Sequence, residues 1–218
     1  MREIFHGQLA ALGAELSTMC ELVCAAMERA TRALLDTELV LAEQVITGDA
    51  EIDHRGARCE EHACTLLALQ APVAGDLRTV VMAIRVCERI ARMGDLARHI
   101  AEIARLRHPH CAVPAELIGQ FADMGALAIA ACRDLEHLIA APTGTHTPAQ
   151  ERADDHIDRL HRLVLEIISH ADPPYPIQTG VDVALLARYF ERFADQAVAV
   201  TRQLDFVVTG EMPPPSRP

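Results

Sequence analysis

The chain has no tryptophan and no lysine, and only two tyrosines and five phenylalanines among 218 residues. Aromatics make up 3% against 50% hydrophobic residues overall, so the core must be built from Leu, Ala, Ile, Val and Met. Such a core suits closely packed helices, because a sheet would be enriched in β-branched and aromatic side chains. Without lysine, all 20 basic residues are arginine, which we read as the codon bias of a GC-rich genome. They are outnumbered by 31 acids, for a net charge of -11. A charge of that sign repels phosphate backbones and anionic headgroups, which argues against direct binding of nucleic acid.

Other absences narrow the field further. The N-terminus shows no charged-then-apolar leader, and no apolar stretch is expected to reach the ~20 residues that span a bilayer. The expectation is a cytoplasmic protein, able at most to sit peripherally on a membrane complex. The seven cysteines are odd in number and include no Cys-x-x-Cys pair, which speaks for a reducing compartment and against a zinc or redox motif. Cys20 and Cys24, one helical turn apart, read as small buried thiols. There is no Gly-rich phosphate loop, no His-Glu-x-x-His and no Gly-x-Ser-x-Gly elbow. A ferritin-like di-iron centre would need two Glu-x-x-His elements on facing helices. Glu51 to His54 is the one such element inside a helix predicted here. The reading is therefore non-enzymatic.

What is present is helical periodicity almost throughout. Leu9, Leu12, Leu16, Met19, Leu22, Val23, Ala26 and Met27 form an apolar stripe at three- and four-residue steps. Stripes of this kind predict six helices, near 8–35, 38–69, 77–107, 115–140, 148–169 and 181–208. Breaks carry the expected punctuation: Ala71-Pro72 with Gly75-Asp76, His108-Pro109 with Pro114, Pro142 to Pro148, and Asp172 to Gly180 with its three prolines. Residues 213–218, with four prolines, are expected to form a disordered tail.

The chain also repeats. A shift of 105 lays Met19-Cys-Glu-Leu-Val-Cys-Ala-Ala over Met124-Gly-Ala-Leu-Ala-Ile-Ala-Ala, and Asp49-Ala-Glu-Ile-Asp53 over Asp154-Asp-His-Ile-Asp158. The third pair, Arg92-Met-Gly-Asp95 and Arg192-Phe-Ala-Asp195, needs a shift of 100. The difference falls between helices, where a change of length costs least. The expected fold is all-α, two tandem homologous three-helix bundles, 1–110 and 111–212.

The repeat makes the acids the candidate functional residues. Asp49 and Asp53, Asp154 and Asp158, and Glu191 and Asp195 are each four apart, so each pair leaves one helix face. Like charges at that spacing cost about 0.2–0.5 kcal/mol per pair unless something offsets them. A hard cation held by carboxylates from adjacent helices is one answer, and neighbouring arginines or plain solvation are the others.

Leu67-Ala-Leu-Gln-Ala-Pro-Val-Ala-Gly-Asp-Leu-Arg-Thr-Val-Val-Met-Ala-Ile-Arg85, followed by Ile90-Ala-Arg-Met-Gly-Asp-Leu-Ala97, resembles the central signature of the PhoU family of phosphate transport system regulators. Tyr189-Phe-Glu-Arg-Phe-Ala-Asp-Gln-Ala197 resembles its second copy, and Met1-Arg-Glu-Ile-Phe-His-Gly-Gln-Leu9 its usual start. The resemblance implies two three-helix bundles, a homodimer, and an adaptor that works with the ATPase subunit of a phosphate-specific ABC transporter and a sensor histidine kinase to repress the phosphate-starvation response. It also implies an acid-x-x-x-Asp motif on the third helix of each bundle, which in some members holds iron or zinc. Glu191 and Asp195 match that motif; Asp95 matches, but Ala91 stands at the leading acid. Asp49, Asp53, Asp154 and Asp158 resemble the acids of the family's second helices. Beside the adaptor stand two other readings, a carboxylate metal bundle with a storage or catalytic role and a purely structural dimer.

Overall fold

The structure is a computed structural model and describes residues 2–169 and 175–211. Among these the elements are α1 (Arg2–Leu35), α2 (Leu39–Gln70), α3 (Ala74–Arg107), a single 3-10 turn (Ala115–Leu117), α4 (Ile118–Ala140), α5 (Thr147–Ile168) and α6 (Ile177–Thr209). The six helices and their breaks fall where the stripes put them. Three begin earlier. Phe5 is buried and extends the α1 stripe, Gly75 and Asp76 lie inside the first turn of α3, and Gly180 lies inside α6 because Pro176 already marks its start. The expected tail at 213–218 and the centre of the break at 172–174 lie outside the described residues.

The fold is all-α, with two tandem three-helix bundles. Helices α1, α2 and α3 pack on one another, as do α4, α5 and α6, and the halves join along α1 against α4 and α3 against α6. Equivalent helices thus face each other in the middle. Helices α2 and α5 flank the outside, each against the two other helices of its own half. One apolar cluster runs through both halves and takes in Ala112 and Val113 of the connection between them.

Burial follows the repeat residue for residue. Met19, Val23, Ala26, Met27, Ala30 and Leu34 are buried, and so, 105 positions on, are Met124, Ala128, Ala131, Cys132, Leu135 and Ile139. In the third helices Ile90, Met93, Ala97 and Ile100 pair in the same way with Phe190, Phe193, Ala197 and Val200 at a shift of 100. Side-chain volume is repeated at some of these positions, as in Met19 and Met124 or Ala97 and Ala197, and changed at others, as in Ala30 and Leu135 or Ile90 and Phe190.

One expectation is corrected. Phe5–Leu35 and Ala115–Ala140 are both long and apolar enough to cross a membrane by length and composition. Like α3 and α6, these two helices pack on their own half and on the other, and they also carry long stretches with few charges. At their contact Cys20 Sγ lies 4.0 Å from Cys132 Sγ, so the thiols serve as small fillers.

The start of α5 is held by α6. His146 has no side-chain cap of its own to offer. Instead the backbone N–H groups of His146 and Thr147, and the Thr147 hydroxyl, donate to the Asp205 carboxylate at 3.0, 2.9 and 2.6 Å. A negative group at a helix N-terminus meets both the free N–H groups and the helix dipole.

The α1–α4 contact is tight at Gly125, where a Cβ would come within 2.4 Å of Thr31 Cγ2. Gly125→Ala therefore overpacks the centre and should cost about 1–3 kcal/mol, a drop in Tm of roughly 2–4 °C per kcal/mol. Gly48, exposed in the middle of α2 with nothing within 4 Å of its Cβ position, is the control. Gly48→Ala should raise Tm slightly, by about 0.5–1 kcal/mol of helix preference. Thermal melts of the two variants with opposite signs are the expected outcome.

Candidate functional site

The two acid rows lie on the outer seams, one between α2 and α3 and the other between α5 and α6. In the first half they are gathered on an arginine. A Cβ on Gly94 would meet Ile52 Cδ1 at 3.1 Å, so α2 and α3 approach closely there and Asp49, 8% exposed, reaches across the seam. Arg98 of α3 donates from Nε to Asp49 Oδ2 at 2.6 Å, from Nη2 to Asp95 Oδ1 at 2.8 Å and from Nη1 to Glu102 Oε1 at 2.7 Å. Burial pushes the Asp49 carboxyl up and Arg98 pulls it back. Asp53 is exposed, one turn further along α2.

The second half is built the other way. Under the shift of 100, Ala91 becomes Glu191 and Arg98 becomes Val198, which is buried. Acid is gained and the cation is lost. Glu191 accepts one hydrogen bond from Arg188 on its own helix, while its Oε2 is buried with no partner among the described residues. Asp154 of α5 is half-buried, and its Oδ1 is likewise without a partner. Asp158, half-buried, and Asp195, on the solvent side, complete the row.

These charges raise one another. Burial lifts the Asp154 carboxyl to about 7, with Asp195, Asp158 and Glu191 adding to it. Burial also lifts Glu191 to about 7, with Asp195 adding and Arg188 opposing. Asp195 is raised as well, by the apolar surface around it and by Asp158. Its surface is nonetheless solvent-accessible, so water screens it more than the other two. His161, on the same α5 face, is pushed down by burial and by Arg188.

All seven predicted acids lie on the seams. Asp49 and Asp95 meet through Arg98, Asp53 stands off, and Asp154, Asp158, Glu191 and Asp195 feel one another directly. Sequence reasoning missed Arg98 and its replacement by Val198, although extending the shift of 100 by three residues places one over the other. Among the described residues no three of His, Cys, Asp and Glu stand as a ready-made metal cage. The second row still fits a hard cation in its chemistry, with an all-oxygen donor set and two orphaned carboxylate oxygens. The first does not fit, because Arg98 already sits among its acids and Ala91 has no donor. Nor do Glu-x-x-His pairs form an inward site: the spacing occurs at Glu3–His6 as well as Glu51–His54, and all four side chains are exposed.

A six-helix chain with repeated acid seams defines a class, and comparison with known proteins gives the family. The PhoU domain model matches residues 16–104. The chain is 45% identical to the phosphate-specific transport system accessory protein PhoU homolog 1 of Mycobacterium leprae, over 98% of this chain and 96% of the relative. It is 46% identical to PhoU homolog 2 of Mycobacterium tuberculosis, over 98% and 100%. The crystal structure of the phosphate transport system regulatory protein PhoU from Streptococcus pneumoniae superposes with a TM-score of 0.86 at 26% identity, covering 96% of this chain and 99% of that one. The chain belongs to the PhoU family.

Two outcomes follow from the seams. In chelator-treated protein, a carboxyl whose pKa rises on folding favours the folded state at low pH and withdraws that support as pH climbs from its unfolded value near 4 through about 7. Asp154→Asn should therefore melt above the wild type at pH 7.5, with the gap narrowing at pH 5.5; measuring the difference cancels the opposite contribution of His161. A gap that is constant or reversed would refute the assignment. In the first half, Arg98→Met leaves buried Asp49 unpaired and should cost about 1–3 kcal/mol, largely recovered in Arg98→Met/Asp49→Leu by urea denaturation.

Proposed function

We propose that this chain is an accessory protein and negative regulator of a phosphate-specific ABC transporter and of the phosphate-starvation two-component response. It acts in the cytoplasm, peripheral to the transporter, as a helical adaptor with no chemistry of its own. The observation that supports this reading is likeness over nearly the whole chain to proteins named phosphate-specific transport system accessory proteins. The partners are the transporter's ATPase subunit and a sensor histidine kinase, and the working form is a homodimer. Purified protein should bind the ATPase subunit or the cytoplasmic region of the kinase in calorimetry, and binding to neither would overturn the reading.

A second reading concerns metal, and the two orphaned carboxylate oxygens favour it. Asp154 and Glu191, helped by Asp158 and Asp195, would hold one cation in the second bundle. The cation would supply the positive charge that Arg98 supplies in the first. The family resemblance suggests iron or zinc, and the all-carboxylate donor set leans toward iron or another hard cation. A storage or catalytic role would draw on the same row. Protein purified without chelator should contain metal by elemental analysis and lose it in Glu191→Gln/Asp195→Asn, and wild-type protein free of metal would remove this reading.

A further inference from the structure

The signature stretch Leu67–Arg85 is not used by the acid seams. Its second half opens α3, where Ala74, Leu77, Arg78, Val81, Met82 and Arg85 form one wall of a cleft of about 520 Å³, closed on the other side by Gln203 and Phe206 of α6. Leu77 and Val81 are 41% and 37% exposed, and Val73, one turn before them, is 74% exposed. Leu77 and Val81, one turn apart on α3, make an exposed apolar strip on the cleft wall.

The polar groups of the cleft are unspent. The Arg78 guanidinium lies over the Phe206 ring, 5.4 Å from its centroid, and its Nε is buried without an acceptor among the described residues. Gln203 Oε1, across the cleft, is buried without a donor among the described residues. Buried orphans of this kind are rare in a folded chain and cost free energy unless something meets them. Among the described residues no acid lines the cleft, although acids outnumber arginines 31 to 20 in the whole chain, so the charge of this lining is positive against a net of -11.

We propose that this cleft is the docking site for an acidic, amphipathic helix of a partner protein. The partner's apolar side chains cover Leu77 and Val81, and a carboxylate meets Arg78 and Arg85. The charge of the lining selects this occupant, since Arg78 and Arg85 stand among apolar side chains with no acid beside them in the described lining, which complements an acidic, amphipathic partner helix. The inference rests on the adaptor reading above and adds the surface through which it works.

The test measures binding of the purified transporter ATPase subunit and of the kinase cytoplasmic region to four forms of the chain: wild type, Leu77→Ser/Val81→Ser, Arg85→Glu, and Leu163→Ser on the far face as control. The first two substitutions fall on exposed side chains, and circular dichroism melts check that each variant folds. Expected is a loss of tenfold or more in both cleft variants for at least one partner, an unchanged control, and a salt dependence that weakens in Arg85→Glu. Wild-type affinity in both cleft variants would overturn the docking site while leaving the adaptor reading intact. Binding of neither partner by the wild type would overturn both. If sedimentation shows a dimer that Leu77→Ser/Val81→Ser dissociates, the occupant is a second copy and the proposal fails. A tenfold gain in affinity on removing residues 212–218 would likewise fail it, by making the chain's own end the occupant.

Discussion

The contact between equivalent helices sets the terms for everything else in this chain. Because α1 meets α4 and α3 meets α6, the middle of the molecule admits only side chains that let two helices approach. Gly125 against Thr31 and the paired thiols of Cys20 and Cys132 show how little room is left. Packing of that density confines charge at the central contact to paired groups, such as Arg107 at the end of α3 with Asp182 near the start of α6, and the acid rows lie instead on the seams where α2 and α5 close each bundle. Both acid rows sit there for the same reason, and so does the need to compensate them.

The halves meet that need differently. The first half carries a guanidinium in hydrogen-bond contact with three carboxylates, an arrangement that suits the planar fork of arginine. The second half replaces that arginine with Val198 and adds Glu191, so its carboxyls lean on one another and on Arg188 from the side. Like charges in a half-buried seam either take up protons or attract a cation. The cleft beside the signature stretch raises the same question with the sign reversed, since Arg78 and Arg85 have apolar neighbours and no acid among them.

Much of this could be read before any coordinates. The stripes located six helices, and the two shifts that align the halves predict which residues are buried together, from Met19 and Met124 to Ile90 and Phe190. The acids at 49, 154 and 195 were visible because they repeat, and Glu191 because it stands four residues before Asp195. Arg98 was harder to see, because a basic residue three from Asp95 and four from Glu102 looks like an ordinary surface pair. Its importance comes from Asp49, on another helix, and only tertiary approach at Gly94 brings the two together. The hold of Asp205 on the start of α5 is hidden in the same way, since nearly sixty residues separate donor from acceptor. The membrane-length runs in α1 and α4 were missed because alanine, glycine and cysteine dilute an apolar stretch without charging it.

The exchange of Arg98 for Val198 gives the two bundles unlike responses to their surroundings. With its guanidinium built in, the first bundle carries the counter-charge to its acids within the chain itself. In the second, burial and neighbouring acids hold the Asp154 and Glu191 carboxyls well above the usual carboxylate range, so the row depends on what compensates it from outside. A chain made of two copies of one bundle has thereby become half compensated from within and half dependent on its surroundings.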